Sequence, residues 1–291
     1  MGTFKIFGSG FLTANRKARL VIYLWLANFL FSFVLVAPFY FLLQKDMARS
    51  LAGEKLFQGQ EFLWLGDMIY KYQDVLPLFL GWLAVPSLLF LLLHVFLNGG
   101  LLGRISVGER VNLPAFLSDS ARYFWRFFRV FLISIIGYII VFGLLGSGLS
   151  ALFKIWMESA STQWTTLIAS FLRLFVFFLL FSMIKMFFDY VKVSLVVEES
   201  KKTVRATLAN FRFLGRRFFR AWGLFLLVGL VFIGLSIAYC LGAKLIPKNG
   251  TVPLVVLFVW QQVYILAGSW TAVLFFSTEY EFFKSHKYSS P

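Results

Sequence analysis

Cysteine is nearly absent from this chain: Cys240 is the only one in 291 residues. A disulfide-stapled secreted scaffold is therefore excluded, since a bridge needs two partners in one chain. Histidine is almost as scarce, with His94 and His286 far from Cys240 and from each other in sequence. Zinc requires three or four converging His, Cys, Asp or Glu ligands, so no metal site is expected. Charge is also short. Only 14% of residues are Asp, Glu, Lys or Arg, against about a quarter in water-soluble domains. Too few polar side chains remain to cover a globule of this length. Acids are the rarer sign, 13 against 28 Lys and Arg, which gives a net charge of +15.

What is present is apolar: 60% hydrophobic and 20% aromatic residues, 38 of them Phe, with a mean hydropathy of +0.81. A membrane-crossing helix needs about 20 mostly apolar residues. Six stretches qualify, roughly 20–43, 75–98, 130–153, 166–189, 221–244 and 252–278. Transmembrane strands would alternate polar and apolar residues, which these runs do not. The expected fold is all-α, a polytopic membrane bundle of six transmembrane helices in one domain spanning 1–291.

The basic residues set its orientation. With the N-terminus inside, 20 Lys and Arg fall in the inner segments and 7 in the outer ones, with Arg173 inside a span. Short basic loops resist translocation, so both termini are expected to be cytoplasmic. On that topology about +13 of the net charge lies on the inner face. The excess is first an orientation signal, and no nucleic-acid partner is inferred from it.

A shift of 91 residues lays Ala115, Leu117 and the run Arg126-Phe127-Phe128-Arg129 on Ala206, Leu208 and Arg217-Phe218-Phe219-Arg220. It also aligns the small residues Gly143, Ser147 and Ala151 with Gly234, Ala238 and Gly242, a spacing that lets helix backbones approach in lipid. Three tandem units follow, about 4–98, 104–189 and 196–283, each a basic amphipathic elbow followed by two spans. The first is stretched by an outer loop, 44–74, whose apolar content suits an interfacial helix. Each elbow should lie along the inner surface as an anchor for the next span. Alternatively Arg126, Arg129, Arg216, Arg217 and Arg220 grip anionic membrane lipids, or dock a cytoplasmic protein partner.

No Walker A loop, G-x-G-x-x-G fingerprint, G-x-S-x-G elbow or HExxH pair occurs. Neither enzymatic activity nor a cofactor is therefore expected. Ionisable and polar residues within spans are the remaining candidates. Arg173, Gln261 and Gln262 lie at similar outer depth and suit an anionic or amphipathic ligand; alternatively Arg173 snorkels to headgroups and the glutamines bridge helices. At the inner boundary the register pairs His94 and Asn98 with Lys185 and Asp189, each pair one helical turn apart. Lys185 and Asp189 either neutralise each other or line an inner vestibule.

Leu195-Val196-Val197-Glu198-Glu199, followed by Ala206, Leu208, Asn210 and Leu214, resembles a motif of six-span bacterial proteins related to the membrane domain of glycerophosphoryl diester phosphodiesterases. The resemblance covers about 50 residues. It implies a bacterial inner-membrane setting and a link to lipids, without hydrolase activity. Together these readings lead to a protein that handles or transports a lipid-like molecule, or to a membrane subunit that docks a partner.

Overall fold

The computed structural model describes residues 2–47, 70, 76–108, 111–158, 162–200, 202–247 and 250–287. Most of the outer loop 44–74, including its expected interfacial helix, lies outside the described residues. Among those described there is no strand. The described residues form nine α-helices in order: α1 (Thr3–Arg16), α2 (Ala18–Met47), α3 (Leu76–Ser106), α4 (Leu113–Ile140), α5 (Gly146–Glu158), α6 (Gln163–Val197), α7 (Thr203–Gly215), α8 (Phe218–Leu245) and α9 (Thr251–Lys287). Among the described residues, six helical stretches have the length and apolarity to cross a membrane, so the chain is an integral, multi-pass membrane protein.

The helices begin where local chemistry stops the preceding chain. Asn112 caps α4, its side chain accepting from the Ala115 N–H at 2.9 Å, and Pro114 occupies the first turn, where no N–H is needed. Thr162 caps α6 through the Thr165 N–H at 3.4 Å. At the far end of α6, Glu199 adopts a φ of 48°, the left-handed turn that closes a helix and that a non-glycine residue adopts only under strain. Its carboxylate is held 3.1 Å from Arg122 of α4, and the neighbouring Glu198 pairs with Lys287 of α9.

The second elbow departs from expectation. Instead of a separate surface helix, α4 runs unbroken from Leu113 to Ile140 and continues through a wider π turn, Val141–Leu145, into α5. Nothing in its sequence interrupts it between Pro114 and Gly137. By contrast, α7 stops at Gly215 and α8 restarts at Phe218, leaving Arg216 and Arg217 in a turn. Lys17 likewise separates α1 from α2.

The chain divides into two compact units. The larger comprises 1–17, 98–229 and 274–291. Its close contacts are made by glycines other than those of the small-residue ladder. A methyl on Gly10 would lie 2.9 Å from the Thr278 Cα, and one on Gly100 would lie 2.6 Å from the Phe116 carbonyl oxygen. Gly103 faces Asp119 in the same way. The ladder expectation is corrected at Gly143 and Gly234, where, among the described residues, an added methyl would meet no side chain or facing backbone within 4 Å, whereas Gly242 does abut the Trp260 ring. Each of the contacting glycines meets a facing helix, and these two do not.

Lys17 caps the end of α3, donating to the carbonyls of Arg104, Ile105 and Val107. Burial, reinforced by the Arg104 guanidinium, lowers Lys17 below the ordinary lysine range. Arg104 itself pairs with Asp119 of α4, both side chains 11% exposed.

The smaller unit comprises 18–97 and 230–273 and is tied by aromatic side chains. Tyr239 and Tyr264 stack at 4.4 Å, Trp260 donates to the Tyr239 carbonyl at 3.1 Å, and Phe31 meets Phe90 at 5.3 Å. Large rings with one polar atom suit this setting, because the N–H or O–H finds a partner while the ring remains in apolar surroundings.

Candidate functional site

Two polar features lie in the larger unit. The first is an ion cluster on α6 and α9 built around the buried carboxylate of Asp189. Asp189 accepts from the Lys185 Nζ at 2.7 Å and from the Lys192 Nζ at 2.8 Å, and its own side chain is only 4% exposed. These three share one face because residues three and four apart on a helix are neighbours. The Lys185 ammonium also lies over the Phe225 and Phe275 rings, at 5.3 and 5.1 Å, and Lys192 lies 5.8 Å from the Phe276 ring. Cation–ring attraction and charge-assisted hydrogen bonds together hold the two ammonium groups, on side chains 43% and 19% exposed, against the carboxylate. Glu279 of α9, 2% exposed, belongs to the same electrostatic neighbourhood.

The second feature is a groove of about 960 Å³ at the broken elbow. Arg205, Arg212, Arg216 and Arg217 line it beside Leu208 and Phe211. The break between α7 and α8 produces this arrangement, since it places arginines of the turn next to those on the helix. The elbow is fixed from beneath. Asn210 donates to the Phe187 carbonyl of α6 at 3.2 Å, and the Phe213 ring meets Phe283 of α9 at 4.9 Å. On the other flank of α7, a cavity of about 210 Å³ lies among Ser194, Glu198, Asn210, Phe213 and Lys287.

The residues singled out from sequence are distributed as follows. Lys185 and Asp189 are paired, and the pair extends to Lys192. Arg216 and Arg217 line the groove, and Arg220 is exposed one turn further along the chain. On α4, Arg129 is exposed, whereas Arg126 lies 5.4 Å from the Tyr123 ring with Nη1 buried and without an acceptor. Arg173 is exposed in the larger unit, donating to Ser150 Oγ at 3.2 Å and lying over the Phe177 ring at 5.8 Å. In the smaller unit Gln262 accepts from Trp25 Nε1 at 3.2 Å, and Gln261 is exposed. His94 bonds the Phe90 carbonyl of its own helix at 3.0 Å, and Asn98 is half-buried one turn on.

Sequence reasoning missed Lys192, Glu279, Arg205 and Arg212. Lys192 was findable, standing three residues after Asp189. Glu279 follows the run Val273-Leu274-Phe275-Phe276 and precedes Phe282-Phe283, a setting too apolar for a solvated tail. No protein-family model, curated protein or solved structure matches this chain.

Proposed function

We propose that this membrane protein holds an anionic, lipid-like amphiphile in the groove of its broken elbow, at the cytoplasmic surface of a bacterial inner membrane, without chemically altering it. The observation that carries this reading is the joint lining of the groove by four arginines and by Leu208 and Phe211. A guanidinium presents paired donors that match phosphate oxygens, and the apolar side chains suit the start of an acyl chain. The charge bias supports an inner position for this elbow, where anionic headgroups attract Lys and Arg by about 1 kcal/mol each. The likeness of the Leu195–Leu214 stretch to lipid-linked membrane domains points the same way. The outer site at Arg173, Gln261 and Gln262 is the weaker reading, because Ser150 and Phe177 engage Arg173 and Trp25 engages Gln262.

The test is retention of phosphatidylglycerol by the purified full-length chain, read by native mass spectrometry against phosphatidylcholine. Replacing Arg212, Arg216 and Arg217 together by Gln should weaken retention by about a hundredfold, three contributions of about 1 kcal/mol. Arg173→Gln should leave it unchanged. Unchanged retention in the triple variant overturns the reading. Loss through Arg173→Gln would transfer it to the outer site, and loss only of a co-purifying protein would replace it with docking.

A further inference from the structure

Glu279 is the least accommodated charged residue among those described. Its side chain is 2% exposed, and neither carboxylate oxygen has a hydrogen-bond donor. Beside it, the Tyr190 hydroxyl is buried and likewise has no partner. The charged groups acting on Glu279 all come from α6: Asp189, Lys185 and Lys192. Both lysines are already committed to Asp189, at 2.7 and 2.8 Å. From α1, the chain packs against neighbouring Thr278 through Gly10, which brings no charge. From α8, Phe225 contributes a ring that stacks on Phe275.

An ionised carboxylate out of water is stable only when cations and hydrogen bonds replace its hydration, and removal of those partners costs more than the neutral acid does. Here a carboxylate has lost its water and gained no hydrogen bond. The same acid with a proton bound carries no charge and loses far less on burial.

We propose that Glu279 is a proton-binding site, and that the arrangement described here is its protonated form. Binding forms one O–H bond on a Glu279 carboxylate oxygen as one O–H bond of a hydronium ion breaks and leaves water; no other bond changes. With Glu279 ionised, the two lysines and two acids sum to zero. With the proton bound, the cluster carries +1. Release of the proton leaves a second carboxylate competing with Asp189 for Lys185 and Lys192, so the ligand of this site is coupled to the α6–α9 contact. The site shares no residue with the arginine groove, and either proposal stands if the other fails.

Infrared spectroscopy of the full-length chain in lipid nanodiscs tests this at neutral pH. The wild type should show the carbonyl stretch of a protonated carboxylic acid. That band should be lost in Glu279→Gln, whose amide matches the neutral acid in shape and charge, and kept in Glu281→Gln. Labelling glutamate side-chain carboxyls with 13C should shift it in the wild type, which assigns it to a glutamate rather than an aspartate, and in Glu279→Asp, used if the glutamine variant fails to fold, the label should no longer shift it. Absence of the band from the wild type, its survival in Glu279→Gln, or its failure to shift on labelling would each overturn the proposal.

Discussion

The segments 113–129 and 204–220 carry the same Arg-Phe-Phe-Arg ending 91 residues apart, yet one lies in an unbroken helix and the other is broken. Where α4 has Phe124, the matched position is Gly215, the last residue of α7. Glycine lowers helix stability by about 1 kcal/mol relative to alanine, so α7 is the easier of the two to end at that point. Matched positions Asp119 and Asn210 are both buried, as are Tyr123 with Leu214 and Val130 with Ala221. The packed faces thus agree, while the chemistry beneath them differs. Asp119 is held by a buried guanidinium, and Asn210 by a single neutral hydrogen bond. Arginines of near-identical local sequence form a groove only where the helix stops.

The largest effect that probes this difference is at Asp119. Asp119→Ala leaves Arg104 buried without its partner and should destabilise the protein by about 3–5 kcal/mol, measured by thermal unfolding in detergent. A loss below about 1 kcal/mol would mean that water reaches Arg104 and that the two elbows are anchored alike. Asn210→Ala should cost about 1 kcal/mol in the same assay, the ordinary contribution of one neutral hydrogen bond. If it proved as damaging as Asp119→Ala, the contrast between ionic and neutral anchoring would fail. The smallest effect is expected at the contact between the first of these segments and the turn that precedes the second, Arg122 to Glu199, whose side chains are 52% and 65% exposed. Arg122→Gln should change the unfolding midpoint little, by an amount equivalent to less than about 1 kcal/mol and diminishing further in high salt. A larger change would show that the pair restrains the strained Glu199 turn.

Legibility from sequence followed the range of the interactions involved. Six long apolar runs predict the spanning helices, because backbone hydrogen bonds in lipid must close within each segment. Lys185 and Asp189 are readable as a pair because four residues make one turn. The small-residue ladder was misleading at Gly143 and Gly234, since the spacing describes a face but not whether a neighbour covers it. Close approach occurs instead at Gly10 and Gly100, whose facing residues Thr278 and Phe116 lie elsewhere in the chain. Arg173 falls within α6, a stretch long and apolar enough to span, yet its Ser150 and Phe177 contacts were not readable from that position.

Glu279 shows the same division most plainly. Its sequence position lies just beyond the sixth apolar run, 252–278, outside every expected span. Only the folded chain carries α9 on to Lys287 and buries Glu279 beside Asp189. Composition, run length and basic bias by themselves determined that this is a multi-pass helical membrane protein, because the cost of exposing backbone and charge to lipid acts on each segment locally. The scarcity of acids was also plain from the start. Which acid loses its water, and which arginines gather at a groove, were decided by tertiary packing, because burial and convergence depend on helices distant in sequence.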